Sequence, residues 1–441
     1  MDQKLLEIFE KSTIENNISH DLYTTYNVKK GLRNEDGTGV LIGLTRIADV
    51  VGYQRNEEGN KVDAHGELYY RGIELKDLLE QVKSDQVDGY ERTCFLILFG
   101  YLPNDEELSI FKKELQNAYE LPKDFLTTNI LKRPSNSIMN ELQKDLLNLY
   151  NEDQLADDTS VENTLKQGLS IIAKLPEMMI YSYQAKAHFI DNKSLMIHQV
   201  DKNYGIAENI LHLLRPDSVF TKEEARILDL LLIMHADHGS GNNSTFSNLV
   251  VASTGTDIYS AFSASIGSLK GPRHGGANIT CKHMMDSIIQ EIGLDATDDD
   301  ITKIITRLQQ KDFFDKQGLV YGFGHAVYTL SDPRCILLKD QARALALACN
   351  ESKRLAFYER FELLVIDYFK SNKNKNICAN VDFYSGLIYE MLQIPEDLYS
   401  PLFVTSRSVG WLAHNIEEKL YCNRIIRPAG LYLGKKKEKN V

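Results

Sequence analysis

Apolar residues recur every three or four positions through most of the chain, and that spacing predicts helices. It runs through Ile73–Val82, Tyr90–Phe99, Glu106–Tyr119, Ser137–Tyr150 and Thr164–Ala185. Ahead of these, Ile8, Phe9, Leu22 and Tyr23 mark an opening helical or mixed arm. A β-like patch follows from Val40 through Tyr53, with Gly59–Asn60 as a hairpin turn and Leu68–Tyr70 as the return. Few other segments alternate, so the expected fold class is all-α with a small N-terminal β patch. The polar stretches Asp295–Asp300 and Ser371–Asn376 read as surface loops, and the charge run Lys435–Asn440 as a solvated, disordered tail. No internal repeat is present.

A length of 441 residues allows a large core and more than one domain. A hydrophobic fraction of 43% and a charged fraction of 25% are those of a soluble globular protein. The net charge of −12 argues against nucleic acid or an anionic membrane as partner. An anionic substrate must therefore meet a local positive pocket. The six cysteines, Cys94, Cys281, Cys335, Cys349, Cys378 and Cys422, form no CxxC pair and read as free thiols in a reducing compartment. The N-terminal MDQKLLEIFEKSTIENN resembles neither a signal peptide nor a transit peptide, and apolar runs such as Leu228–Met234 are too short to span a bilayer. Cytoplasm is the expected location.

Five segments carry candidate chemistry. In LDLLLIMHADHGSGNNSTF, a buried helix is expected to end at Gly239 and Gly241. His235 and His238, three apart, then share a face at its C-terminus, where the dipole favours a cationic imidazole suited to a carboxylate. A zinc site and plain structural histidines are the alternatives. In GSLKGPRHGGAN, a small-residue helix over Thr256–Leu269 leads to His274 on a Gly-rich turn, with Asn278 as the cap of the next helix. A helix N-terminus lowers the pKa of such a histidine, and a neutral imidazole still donates to a developing enolate. A surface turn is the plain alternative. Gly275 and Gly276 are a candidate hinge or a simple tight turn.

In GLVYGFGHAVYTLSDPRCILLK, Gly322 and Gly324 present His325, Asp332 caps a helix, and Arg334 lies in its first turn. Arginine beside a helix N-terminus makes a carboxylate site, although a solvated Arg334 fits equally. In NVDFYSGLIYEML, Asp382 sits among apolar neighbours that raise its pKa and its strength as a base, while the commoner role is a helix cap. In TSRSVGWLAHNIEEKL and NRIIRPAGLYLG, Arg407, Arg424 and Arg427 supply fixed charge. Trp411 reads as core, and His414 with Glu418 as an i,i+4 pair without function.

Taken in order, HADHGSGNNSTF, GSLKGPRHGGAN, GFGHAVYTLSDPR, NVDFYSG and SRSVGWLAH…RPAGLYLG resemble the citrate synthase family, and GLRNEDG…YYRG is similar too. The resemblance extends from about Gly31 to Gly434. The chain departs from many relatives in the Gly-Ser-Gly after His238, in Arg273 and in Ala326. The resemblance implies an all-α homodimer with a large helical domain, residues 1–277 and 387–441, and a small one, residues 278–386, that closes over the site. It implies condensation of acetyl-CoA with oxaloacetate and water to give citrate and CoA, with 2-methylcitrate formation from propionyl-CoA as the alternative. It assigns catalysis to His274, His325 and Asp382, and oxaloacetate to His238, Arg334, Arg407 and Arg427, the last across the dimer. By position, Arg273, Lys373 and Lys375 are candidates for the CoA phosphates. No metal or redox cofactor is expected; the CoA thioester is a substrate.

Overall fold

The computed structural model describes residues 2–82, 87–422 and 424–434. The tail at Lys435–Asn440 lies outside the described residues. The chain divides into two compact units, Met1–Leu44 and Thr45–Val441.

In the first unit, Asp2 opens the helix Gln3–Glu15 by accepting the Lys4 N–H at 2.8 Å. A short helix, Asp21–Thr25, and a 3₁₀ turn, Lys30–Leu32, follow. Asp36 then accepts the Thr38 N–H and O–H and closes a turn that pairs Arg33 with Gly39.

The second unit opens with a three-stranded antiparallel sheet of β1 (Ala48–Arg55), β2 (Lys61–Tyr70) and β3 (Ile73–Glu74). The first strand thus begins eight residues later than Val40. Asn56 shapes the hairpin turn by accepting the Glu58 and Asn60 N–H groups, and Ala48 pairs with Tyr70. The rest is helical: Leu75–Gln81, Gly89–Phe99, Asp105–Asn117, Ile138–Glu152, Val161–Phe189, Ile206–Leu214, Lys222–His235, Asn243–Ala252, Ile258–Leu269, Ala277–Ile292, Asp298–Gln309, Pro333–Ala348, Ser352–Lys373, Val381–Met391 and Tyr399–Tyr421. The fold is all-α. Two expected loops are partly helix. Thr297 caps a helix that Asp298–Asp300 open, because acids suit a helix N-terminus, and residues 371–373 complete the Ser352–Lys373 helix.

Tyr399–Tyr421 is the central helix, packed against Gly89–Phe99, Val161–Phe189, Lys222–His235 and Asn243–Ala252. It buries Leu402, Val404, Val409, Leu412 and, as expected, Trp411. It also buries Arg407, His414 and Asn415. Charged and amide groups inside a central helix must be compensated, and their partners lead to the site.

Candidate active site

The Lys222–His235 helix starts on a capping box of Thr221 and Glu224 and ends at His235, before the glycines. His238 therefore lies three residues beyond the helix and does not share a helical face with His235. His235 Nδ1 donates to Leu231 O at 2.8 Å and its ring packs edge-on against Phe403. Burial pushes it down to about 3, and burial with Arg334, His325 and Arg407 holds His238 well below its usual range. Both imidazoles are neutral, contrary to the cationic state the dipole suggested, because burial outweighs a helix end. His238 Nε2 is buried with no hydrogen-bond partner. Among the described residues, no three His, Cys, Asp or Glu side chains group as a metal cage.

His274 sits on the turn between Ile258–Leu269 and Ala277–Ile292. The glycines there serve close packing: a Cβ on Gly275 would lie 2.7 Å from Leu269 O. Gly276 is the cap, and Asn278 lies inside the helix, so it does not cap it. His274 Nε2 lies 3.1 Å from Asn242 Oδ1 and 3.2 Å from Ser244 Oγ, and Ser244 Oγ accepts the Trp411 indole N–H at 3.2 Å. Burial, then the charge of Arg407, pushes His274 down to about 4.

His325 is held by its backbone. Its Nδ1 accepts the Val327 and Tyr328 N–H groups at 3.1 and 3.2 Å, which places the proton of a neutral ring on Nε2. Tyr328 stacks on His325 at 4.7 Å, meets His238 edge-on at 5.5 Å and lies under the Arg334 guanidinium at 5.7 Å. The hairpin presses on this loop. Ser331 Oγ accepts the Gly66 N–H at 3.1 Å, and a Cβ on Gly66 would come within 2.5 Å of the Tyr328 ring.

Asp332 caps Pro333–Ala348 as expected, but Arg334 is buried and not solvated. Its Nε and Nη2 donate to the two Asp332 oxygens at 3.0 and 2.7 Å. Asp382 does not cap its helix; Asn380 does, accepting the Asp382 N–H at 3.0 Å. Burial pushes the Asp382 carboxyl up to about 7 against the opposing pull of Arg334.

Arg407 completes the cluster. It is wholly buried, donates Nε–H to His235 O at 2.7 Å and lies 4.7 Å over Phe403. Its Nη1 and Nη2 have no partner. Burial lowers it to about 10. The structure thus brings together His238, His274, His325, Arg334, Arg407 and Asp382. It leaves Arg427, Arg424, Arg273, Lys373 and Lys375 exposed. His414 pairs with Asp237, not with Glu418: its Nε2 lies 3.3 Å from Asp237 Oδ2. Tyr328, Ser244, Asn242, Phe403 and Asn380 escaped the sequence reading. Ser244 and Asn242 stand inside a quoted motif, but nothing in their spacing pairs them with His274.

Fold and site define an all-α enzyme with an acid–base cluster beside a buried cationic pocket. A family model described as citrate synthase, C-terminal domain, matches residues 36–429. The chain is 33% identical over 416 residues to the citrate synthase of Haloferax volcanii, covering 93% of this chain and 96% of that one. It is 30% identical over 375 residues to the 2-methylcitrate synthase of Shewanella oneidensis, covering 83% and 88%. The citrate synthase of Pyrobaculum aerophilum superposes with a TM-score of 0.73 at 28% identity, covering 91% and 92%. That of Thermoplasma acidophilum, solved in a ternary complex with carboxymethyl coenzyme A and oxaloacetate, gives 0.72 at 26%, covering 94% and 98%. The chain belongs to the citrate synthase family.

Proposed function

We propose that the chain condenses acetyl-CoA with oxaloacetate and water to give citrate and CoA. The observation that carries this reading is Arg407, a buried guanidinium with both terminal nitrogens unpaired, in a pocket shared with Arg334 and three imidazoles. Such a pocket is costly when empty and suits a compact substrate with two carboxylates. The family supports the reaction. A relative named 2-methylcitrate synthase at 30% identity keeps propionyl-CoA as the second reading.

In this reading Asp382 takes a proton from the methyl carbon of the thioester. His274 donates an N–H to the thioester oxygen as enolate character develops. Asn242 Oδ1 accepts the Ser244 O–H at 2.9 Å and lies 3.1 Å from His274 Nε2, so a neutral ring carries its proton on Nε2, the N–H available to the thioester oxygen. The enolate carbon attacks the ketone carbon of oxaloacetate, and His325 Nε2–H delivers its proton to the new alkoxide. Water then hydrolyses the citryl thioester. His238, Arg334 and Arg407 hold oxaloacetate, and Arg427 joins them from the second subunit of a homodimer. Arg273, Lys373 and Lys375 meet the CoA phosphates. Residues 278–386 close over residues 1–277 and 387–441 and exclude water until condensation. The reaction needs no metal or redox cofactor, since each step moves only protons and acyl carbon.

Among the described residues, no helix is long and apolar enough to cross a membrane. The scattered cysteines and acidic composition support a cytoplasmic location. A steady-state assay of CoA thiol release, with oxaloacetate and either acetyl-CoA or propionyl-CoA, tests the reading. Higher kcat/KM with acetyl-CoA is expected. Higher kcat/KM with propionyl-CoA favours the second reading, and no release with either overturns both.

A further inference from the structure

Beside the cationic pocket lies a second buried charge cluster, on residues the reaction above does not use. Asp237 is wholly buried, with Oδ2 accepting the Gly239 N–H at 2.9 Å and facing His414 Nε2 at 3.3 Å. Its Oδ1 has no hydrogen-bond partner. Gly410 makes room for it: a Cβ there would lie 2.6 Å from Ala236 O and press on the Asp237 carboxylate. Gly410 and Arg407 are three apart on the Tyr399–Tyr421 helix and share a face.

Asp237 and Arg407 therefore meet at one junction, where Arg407 also bonds His235 O. Yet no hydrogen bond joins them: Asp237 Oδ1 and both Arg407 terminal nitrogens are left unpaired. Arg334 differs, since it holds Asp332 in a two-point contact. Burial alone would raise the Asp237 carboxyl, but His414 and Arg407 hold it below the usual range. Asp237 in turn offsets part of the burial of Arg407. His414 also faces a second carboxylate, with Nδ1 3.9 Å from Glu417 Oε2, and Glu417 Oε1 accepts the Arg46 N–H at 2.9 Å.

We propose that His414 is a positioning residue that holds the Asp237 carboxylate off Arg407. Asp237 then balances the buried cation from a distance, while the Arg407 terminal N–H groups stay open for a substrate carboxylate. Released from His414, Asp237 would turn onto Arg407 as Asp332 sits on Arg334, and substrate would have to displace it. This rests on Arg407 as an oxaloacetate ligand, which wild-type turnover tests separately.

The experiment compares full-length wild type, His414→Leu, His414→Gln and the double variant His414→Leu/Asp237→Asn. Oxaloacetate is varied at saturating acetyl-CoA, with a thermal melt of each protein. His414→Leu should raise the KM for oxaloacetate about tenfold or more with kcat within about threefold, a loss of roughly 1.4 kcal/mol or more in binding. His414→Gln keeps a donor and should stay within about threefold in KM. Adding Asp237→Asn to His414→Leu removes the competing carboxylate and should recover most of the KM. An unchanged KM in His414→Leu, or a double variant weaker than the single, overturns the proposal. If His414→Leu does not fold, His414→Asn, too short to reach Asp237, is read by the same criteria. If neither folds, His414 is structural and the proposal fails. A wild-type chain inert with oxaloacetate fails earlier, taking the underlying reading with it.

Discussion

Asn380 Nδ2 donates to Gly324 O at 2.9 Å while its Oδ1 accepts the Asp382 N–H at 3.0 Å. One side chain thus ties the helix that carries Asp382 to the loop that carries His325. The backbone reinforces the tie: Gly324 N donates to Cys378 O at 2.9 Å and Asn380 N to Gly322 O at 2.8 Å. Asp332, the partner of Arg334, accepts the Val381 N–H at 3.3 Å. Acid–base groups far apart in sequence therefore sit on one hydrogen-bonded frame, which is how a site holds its geometry without relying on loop stiffness.

Asn380→Asp separates the two halves of that tie. Aspartate caps a helix as well as asparagine, so the melting temperature should move by only a few degrees. It cannot donate to Gly324 O, and its charge faces that carbonyl, so the His325 loop loosens. Turnover should fall about tenfold or more, the scale expected when a reacting group is misplaced. Thermal melts and steady-state kinetics of the one variant check both halves. A normal kcat would mean that the backbone bonds hold the loop alone.

The raised Asp382 carboxyl predicts two opposite pH effects. A folded-state pKa near 7 lies above the unfolded value of 3.8, so the folded chain holds more protons between those limits. Stability contributed by this group is present at low pH and lost as pH rises through that window. Activity that needs the carboxylate base rises through the same window, with kcat/KM climbing toward a plateau above about pH 7. Asp382→Asn should melt higher than wild type at pH 8, with the gap closing near pH 4. It should also lose about 100- to 10,000-fold in kcat. Melts across pH 4–8 and kinetics across pH 5–9 read both, and a variant within a few-fold of wild type in kcat removes Asp382 as the base.

The helices and the segments with reactive residues were legible because each signal is local. Apolar period three to four marks Gly89–Phe99 or Val161–Phe189, and Asp332-Pro333 announces a helix start. What stayed hidden needs two segments at once. Asp382 reads as a cap until Asn380, two residues earlier, takes that role. His414 reads as an i,i+4 partner of Glu418 without function until the central helix is seen to face Asp237 across Gly410. Tyr328 carries no motif of its own; its place between His238, His325 and Arg334 exists only once the hairpin presses on its loop. A helix C-terminus favours cationic imidazoles at His235 and His238, but burial keeps both neutral, and sequence reports a helix end without its depth.

Arg407→Leu should separate folding from binding. Two guanidinium nitrogens of Arg407 have no hydrogen-bond partner, but its charge balances the buried Asp237 carboxylate, which an apolar residue at this position would strand. The variant without ligand should melt below the wild-type temperature. Wild type should gain several degrees with millimolar oxaloacetate through ligand linkage, and the variant none. Melts of both proteins with and without oxaloacetate check this. A melting temperature for ligand-free Arg407→Leu at or above wild type would mean that Asp237 and the His235 carbonyl do not offset the burial of the charge.

Arg427 tests the dimer. Its side chain is exposed in the segment after the central helix, and no ion pair holds it within the described chain. If it completes the oxaloacetate site of a neighbour, Arg427→Ala disables the neighbour's site while Asp382→Ala disables its own. A hybrid of the two then carries one site with both defects and one with neither. Random exchange of an equal mixture gives about half hybrids. Each hybrid has one intact site of two, so the mixture should recover about a quarter of wild-type turnover from two inactive parents. Arg427 acting in its own subunit predicts the opposite: each site of every hybrid keeps one defect and no activity returns. Subunit exchange must be shown independently, by mixing tagged and untagged wild type and isolating the singly tagged dimer. With exchange demonstrated, the absence of recovery places Arg427 in its own subunit's site or outside the site altogether.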